Sequence, residues 1–180
     1  MIFTPTPLAG GWVVDLERHA DERGFFARTW CRHEFEEHGL DPAVVQCNLS
    51  HNPRRGTLRG LHWQTPPHAE VKLVRCSRGA IWDVMVDLRP DSATYTRHFG
   101  AELTEANGRA LYIPEGFAHG FVTLVDDSDV VYQMSALYEP SAGRGARWND
   151  PAFGIAWPVR EPILNPRDAS YPDFVPERRP

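Results

Sequence analysis

Between its prolines and glycines the chain runs in short segments that alternate apolar and polar positions or are rich in β-branched residues. That pattern predicts many short strands rather than helices. Strands are expected over 44–50, 57–63, 71–76, 80–88, 110–113, 120–124 and 130–137. One short helix is expected over 31–39, closed by Gly39. From Pro158 the repeated prolines predict an extended strap, 158–180, lying on the barrel rather than forming a domain, with 177–180 disordered. Without an internal repeat or a linker, 1–180 reads as a single all-β domain.

The segment Ala80-Ile-Trp-Asp-Val-Met-Val-Asp-Leu88 carries an architectural hint. One face holds Ala80, Trp82, Val84, Val86 and Leu88 and is wholly apolar; the other alternates Ile81 and Met85 with Asp83 and Asp87. A strand covered on one side only shows water a polar face. The two acids are therefore expected to look into a lumen while the apolar face packs on a second sheet or a second subunit, which favours a homodimer.

Composition narrows the class without changing this picture. Of 180 residues, 42% are hydrophobic and 24% charged, ordinary for a soluble globular protein. The net charge of −5 supplies no basic field for nucleic acid or an anionic membrane. No apolar run approaches the roughly 20 residues of a membrane span, and the start MIFTPTPLAGG lacks a signal-peptide pattern. Cys31, Cys47 and Cys76 form neither a CxxC pair nor an even disulfide set, so a reducing cytoplasm is expected. Arg54, Arg55 and Arg78 read as solvated surface, whereas Arg59, between Leu58 and Gly60-Leu61, calls for a phosphate or carboxylate.

The chemistry-bearing residues lie on separate predicted strands. Inverting a carbon beside a ketone needs a base on one face, a group to hold the enolate oxygen, and an acid on the opposite face. An imidazole, with an unperturbed pKa of about 6.5, suits the base. A desolvated ammonium suits the oxyanion, and a phenol can return the proton. His62, Lys72 and Tyr132 supply these three groups. Singly, each is better read as a structural residue; with Arg59 beside them, the functional reading prevails. Asp168 and Asp83 are the candidates to orient the imidazole. Small β-barrels that bind iron or manganese use an HxH pair, a Glu and a later His. Here Gln64 stands at the second imidazole position, ahead of Glu70 and His119, and a neutral amide is a poor ligand, so no metal is expected.

The ordered motifs Asp21-Glu-Arg-Gly-Phe-Phe26, Gln46-Cys-Asn-Leu-Ser50, Gly56-Thr-Leu-Arg-Gly-Leu-His62, Lys72-Leu-Val, Gly79 through Arg89, Ile113-Pro-Glu-Gly-Phe-Ala-His-Gly-Phe121 and Trp148-Asn-Asp-Pro151 span nearly the whole chain. In these the sequence resembles the deoxy-sugar nucleotide epimerases typified by dTDP-4-dehydrorhamnose 3,5-epimerase. The resemblance implies a jelly-roll, cupin-type β-sandwich with a few short helices, and a homodimer with exchanged N-terminal strands. It also implies a cofactor-free isomerase that inverts C3, C5 or both of a nucleotide-linked 4-keto-6-deoxyhexose. By position, His62 resembles the base, Asp168 its partner, Lys72 the enolate stabiliser and Tyr132 the acid. Arg59 and Arg23 resemble diphosphate ligands, Arg23 reaching across the dimer. Gln46, Asn48 and His119 resemble further substrate contacts, and Phe26 a nucleotide-packing residue. Arg28, Gly143 and the tail segment Asn165-Pro-Arg-Asp168 depart from the family pattern where the nucleotide or sugar is read, leaving the nucleotide open. A sugar-nucleotide 3,4-ketoisomerase and a catalytically silent sugar-nucleotide sensor are the alternatives.

Overall fold

Alternation of side chains along each strand lets one face meet a neighbouring sheet while the other meets a different layer. The computed structural model, which describes residues 1–176, is built on that rule. Its strands are β1 (Ile2–Pro5), β2 (Trp12–Asp15), β3 (His19–Asp21), β4 (Gly24–Phe26), β5 (Gln46–Asn52), β6 (Leu58–Gln64), β7 (Lys72–Arg78), β8 (Ala80–Asp87), β9 (His98–Thr104), β10 (Ala110–Ile113), β11 (Phe117–Thr123), β12 (Ser128–Met134) and β13 (Gly143–Gly145). The helices are α1 (Arg32–Glu37) and α2 (Pro166–Ala169). A six-stranded sheet in the order β1-β2-β10-β7-β12-β5 faces a five-stranded sheet in the order β13-β6-β11-β8-β9. All named pairings are antiparallel, and few sheet neighbours are consecutive in the chain. This is the expected jelly-roll sandwich. No described helix is long and apolar enough to cross a membrane.

The space between the sheets is divided lengthwise. Leu8, Val74, Cys76, Ile81, Met85, Leu103, Leu111, Ile113, Phe121 and Val130 close one end as the apolar core. The inner face of β7 reads Lys72, Val74, Cys76, and that of β12 reads Val130, Tyr132, Met134. Each strand thus gives its apolar end to the core and its other end to a cavity. On the outer face of the six-stranded sheet, Val14, Val71, Leu73 and Tyr112 receive Phe35 of α1 and Leu40. Gly39, at φ +67°, turns the chain after that helix.

The structure revises several expectations. The apolar face of β8 is covered from within the chain: Val84 and Val86, with Trp82 and Leu88, pack under Ala146, Phe153, Ile155 and Trp157 of the segment before the strap and under Phe174 of the strap itself. The other face does look inward, with Asp83 and Asp87 both buried. The strap is clamped by the Arg147–Asp173 ion pair and by Phe174 N donating to Asp150 Oδ2 at 2.6 Å. Within it the expected extended run contains the single turn α2. Strands β1, β2, β3, β4, β9 and β13 lie outside the ranges that the alternation pattern predicts, and β11 begins at Phe117 rather than at 120. The disorder expected for 177–180 lies outside the described residues.

Candidate active site

A cavity of about 400 Å³ opens between the two sheets at their polar end, within the range of small-molecule sites. Strand register determines who faces it. Residues opposed across an antiparallel pair share a face, and His62 of β6 is registered with His119 of β11. On the facing sheet Tyr132 is registered with Asn48, and Met134 with both Lys72 and Gln46. All of these line the cavity, so the imidazole comes from one sheet and the ammonium and phenol from the other.

Arg59 and His62 are three residues apart and in a regular strand would point to opposite faces. The β6–β11 register shifts between His119 and Phe121, and this irregularity turns both inward. It requires glycine: Gly60 has φ +129°, and a Cβ there would lie 2.5 Å from Gly120 Cα. Arg59 is exposed at the cavity mouth; its Nε donates to Asn52 Oδ1 at 2.8 Å, and no carboxylate pairs with it among the described residues. Asn52, itself buried, is held by donation to Ser50 O and Ser128 O.

Two histidine–aspartate pairs stand on the five-stranded side; His62, Asp168 and His119 line the cavity, and Asp83 is buried. His62 Nε2 lies 2.7 Å from Asp168 Oδ1. Asp168, buried in α2, is oriented twice more: its Oδ2 accepts from Gly60 N at 3.3 Å, and its own N–H donates to Asn165 Oδ1 at 2.7 Å. Burial pushes the Asp168 carboxyl upward, but the bonds from His62, Gly60 N–H and Asn165 outweigh it and hold the group below its ordinary value. The other candidate orienter, Asp83, is instead 2.7 Å from His119 Nε2. Asp83 is fully buried and its carboxyl is pushed upward by burial, with His119 and then Lys72 opposing. Across the cavity, burial raises the Tyr132 phenol, with the Arg59 charge opposing.

The remaining expected residues divide. Gln46 and Asn48 line the cavity, linked by a 3.0 Å bond from Gln46 Nε2 to Asn48 Oδ1. Arg23 and Phe26 do not reach the cavity of their own chain. They lie on the β3–β4 hairpin, where Phe26 is 74% exposed and Arg23 pairs with Asp21 at 2.5 Å. Arg28 is also remote and pairs with Glu34, which holds the N-terminal ammonium. Gln64, at the position weighed as a metal ligand, has its amide engaged by backbone: Nε2 donates to His68 O and Leu137 O, and Oε1 accepts from Glu139 N. Sequence reasoning passed over Tyr138, Arg144 and Arg167 as lining residues and weighed Glu70 only within the metal pattern. Glu70 had a legible signal, since it stands two positions before Lys72 and so shares its strand face.

Comparison with known proteins fits this geometry. The family model described as dTDP-4-dehydrorhamnose 3,5-epimerase matches residues 5–175. A dTDP-4-dehydrorhamnose 3,5-epimerase of Sinorhizobium fredii is 41% identical over 175 residues, covering 97% of this chain and 90% of that protein. The Bacillus anthracis enzyme of the same name, solved with TDP and pyrophosphate bound, superposes with TM-score 0.93 at 38% identity, covering 96% of this chain and 99% of that one. A dTDP-6-deoxy-D-glucose-3,5-epimerase of Legionella pneumophila, solved with dTDP-4-keto-L-rhamnose, gives TM-score 0.88 at 34% identity over 94% of this chain and 90% of that one. With the jelly roll and the cavity between its sheets, these matches show that the chain belongs to the dTDP-4-dehydrorhamnose 3,5-epimerase family.

Proposed function

We propose that this chain epimerises a nucleotide-linked 4-keto-6-deoxyhexose at C3, C5 or both, through an enolate. The observation that carries the reading is the opposition of His62–Asp168 on one sheet to Lys72 and Tyr132 on the other, across one cavity. With Nε2 engaged by Asp168, Nδ1 is the nitrogen left to take the proton beside the ketone. The Asp168 carboxylate then stabilises the imidazolium that forms. The Lys72 ammonium, in a partly dry cavity, meets the charge that develops on the carbonyl oxygen. Tyr132, kept protonated by its burial, returns a proton from the opposite face of the ring. These steps draw only on protein side chains. Arg59, which no carboxylate pairs among the described residues, suits the diphosphate.

The same reading assigns Arg23 and Phe26 to the cavity of a second copy in a homodimer, since their exposed hairpin leaves them free of their own. The three free thiols suit a reducing cytoplasm. The test is solvent deuterium incorporation into dTDP-4-keto-6-deoxyglucose, followed by NMR in the presence of EDTA. Exchange at C3 or C5 with the ketone retained at C4 is the expected result. Migration of the ketone to C3 identifies a ketoisomerase instead, and binding without exchange identifies a sensor.

A further inference from the structure

Glu70 is a buried acid that the proposed proton transfers leave without a task. Its side chain is 3% exposed, it lines the cavity, and its Oε1 forms an ion pair with Lys72 Nζ. Its other oxygen, Oε2, is buried with no hydrogen-bond partner among the described residues. An anion of this kind is costly to keep inside a fold. It also opposes the task assigned to Lys72, because a carboxylate beside the ammonium weakens its pull on a developing oxyanion.

The backbone around it is built to hold the contact. Glu70 stands two positions before Lys72, the first residue of β7, and both side chains line the cavity. The intervening Val71 points the other way into the outer apolar cluster. Val71 is also tied to Ser135 in both directions: its N–H donates to Ser135 Oγ at 2.8 Å and its carbonyl accepts from Ser135 N at 3.1 Å. The short carboxylate arm therefore has a rigid base from which to aim a long, flexible ammonium stem. The other buried carboxylate nearby, Asp83, is already engaged by His119 Nε2 at 2.7 Å.

We propose that Glu70 is a positioning residue for the reaction: its carboxylate oxygen accepts from Lys72 Nζ and fixes where the ammonium meets the sugar's carbonyl oxygen. This rests on the enolate reading above, in which Lys72 holds that oxygen. What Lys72 requires of residue 70 is an acceptor at a set position; the negative charge is incidental.

The test compares Glu70→Leu, which fills the space without an acceptor, with Glu70→Gln, which keeps the acceptor and removes the charge. Solvent-exchange kcat and KM are measured on dTDP-4-keto-6-deoxyglucose after wild-type exchange has been established. Absent wild-type exchange overturns the enolate reading itself, which separates the two failures. For Glu70→Leu a loss of roughly 100-fold in kcat with KM changed less than about twofold is expected, the scale of a misplaced catalytic group. Glu70→Gln should restore most of that loss. Wild-type kcat in Glu70→Leu overturns the proposal, as does a Glu70→Gln enzyme as slow as Glu70→Leu. Should Glu70→Leu fail to fold, the Glu70→Gln enzyme and Glu70→Ala in a Lys72→Met background decide. An acceptor acting only through Lys72 leaves the residual rate of Lys72→Met unchanged on Glu70→Ala, and a further loss there overturns it.

Discussion

His62 and Tyr132 face one another from separate sheets, and their tasks can be told apart by experiment. His62→Ala should abolish deuterium exchange at every centre, because no other described group takes its place against Asp168. Tyr132→Phe should still exchange but return the proton from the original side, giving labelled sugar with little inversion. NMR of recovered substrate separates these outcomes, and inversion at wild-type rate in Tyr132→Phe would remove the phenol from the mechanism. Outside the cavity, Asp87 is the clearest stability determinant. Its carboxylate accepts from Arg89 N and guanidinium, Ser92 Oγ and Thr94 Oγ1. Burial acts to raise its pKa, but these bonds win and bring it from 3.8 to about 2. A carboxyl depressed in the folded state stabilises above its unfolded value and loses that contribution as pH falls through the folded value. Asp87→Asn should therefore cost about 1–2 kcal/mol by urea unfolding above pH 4, a difference that closes toward pH 2. A gap that stays constant with pH would contradict this account.

Among the elements, the Gly60–Gly120 approach between β6 and β11 determines most about the site. It aims Arg59 and His62 into the same cavity and offers Gly60 N–H to Asp168. Gly60→Ala combines a φ of +129° with a Cβ 2.5 Å from Gly120 Cα, a cost of at least about 2 kcal/mol. The melting temperature should fall by roughly 4–10 °C and kcat by about 100-fold, and calorimetry with the exchange assay checks both. Several strands escaped the sequence pattern for physical reasons. Strand β13 is Gly-Arg-Gly and has no intrinsic preference for extension; it exists by pairing with β6, and Gly145 is needed because the Tyr171 ring occupies the place of a side chain, 2.2 Å from its would-be Cβ. In β9, Gly100 breaks the alternation because the Trp82 indole lies over it, 2.6 Å from such a Cβ. Local propensity cannot report a cross-strand demand for an absent side chain.

For the whole molecule, the strap and the β3–β4 hairpin have opposite fates. The strap, with the segment before it that carries Ala146, Phe153 and Trp157, packs over the apolar face of β8 and brings Asp168 back to His62. The hairpin instead presents Phe25 and Phe26 to solvent, at 53% and 74% exposure, in a two-stranded sheet separate from the others. If Arg23 serves the cavity of a partner copy, the two inactive variants His62→Asn and Arg23→Glu should complement each other. Each mixed dimer would contain one intact cavity. Activity should appear on refolding the two together, at an elution mass twice the 20.4 kDa chain. A mixture as inactive as its components would mean that Arg23 does not serve the cavity of a partner copy.

By itself the sequence determined the class of element and the kinds of chemistry available. Alternation and β-branching are short-range properties, and they specified strands β5 to β8, β10 and β12 to within a few residues. The residue types of the motifs specified an imidazole, an ammonium, a phenol and a guanidinium, and through their order the family. The spacing of the residues left Asp168 and Asp83 both open for His62, and only the family resemblance paired Asp168 with it; the tertiary structure brings Asp168 to His62, 106 residues away, and shows that Asp83 serves His119, 36 residues away. It also decided that Arg59 joins His62 on one face, that Glu70 pairs with Lys72, and that Phe174 of the strap and the segment before the strap pack over β8. Register, a glycine bulge and loop closure select these partners, and each depends on contacts between segments far apart in the chain, which no local pattern encodes.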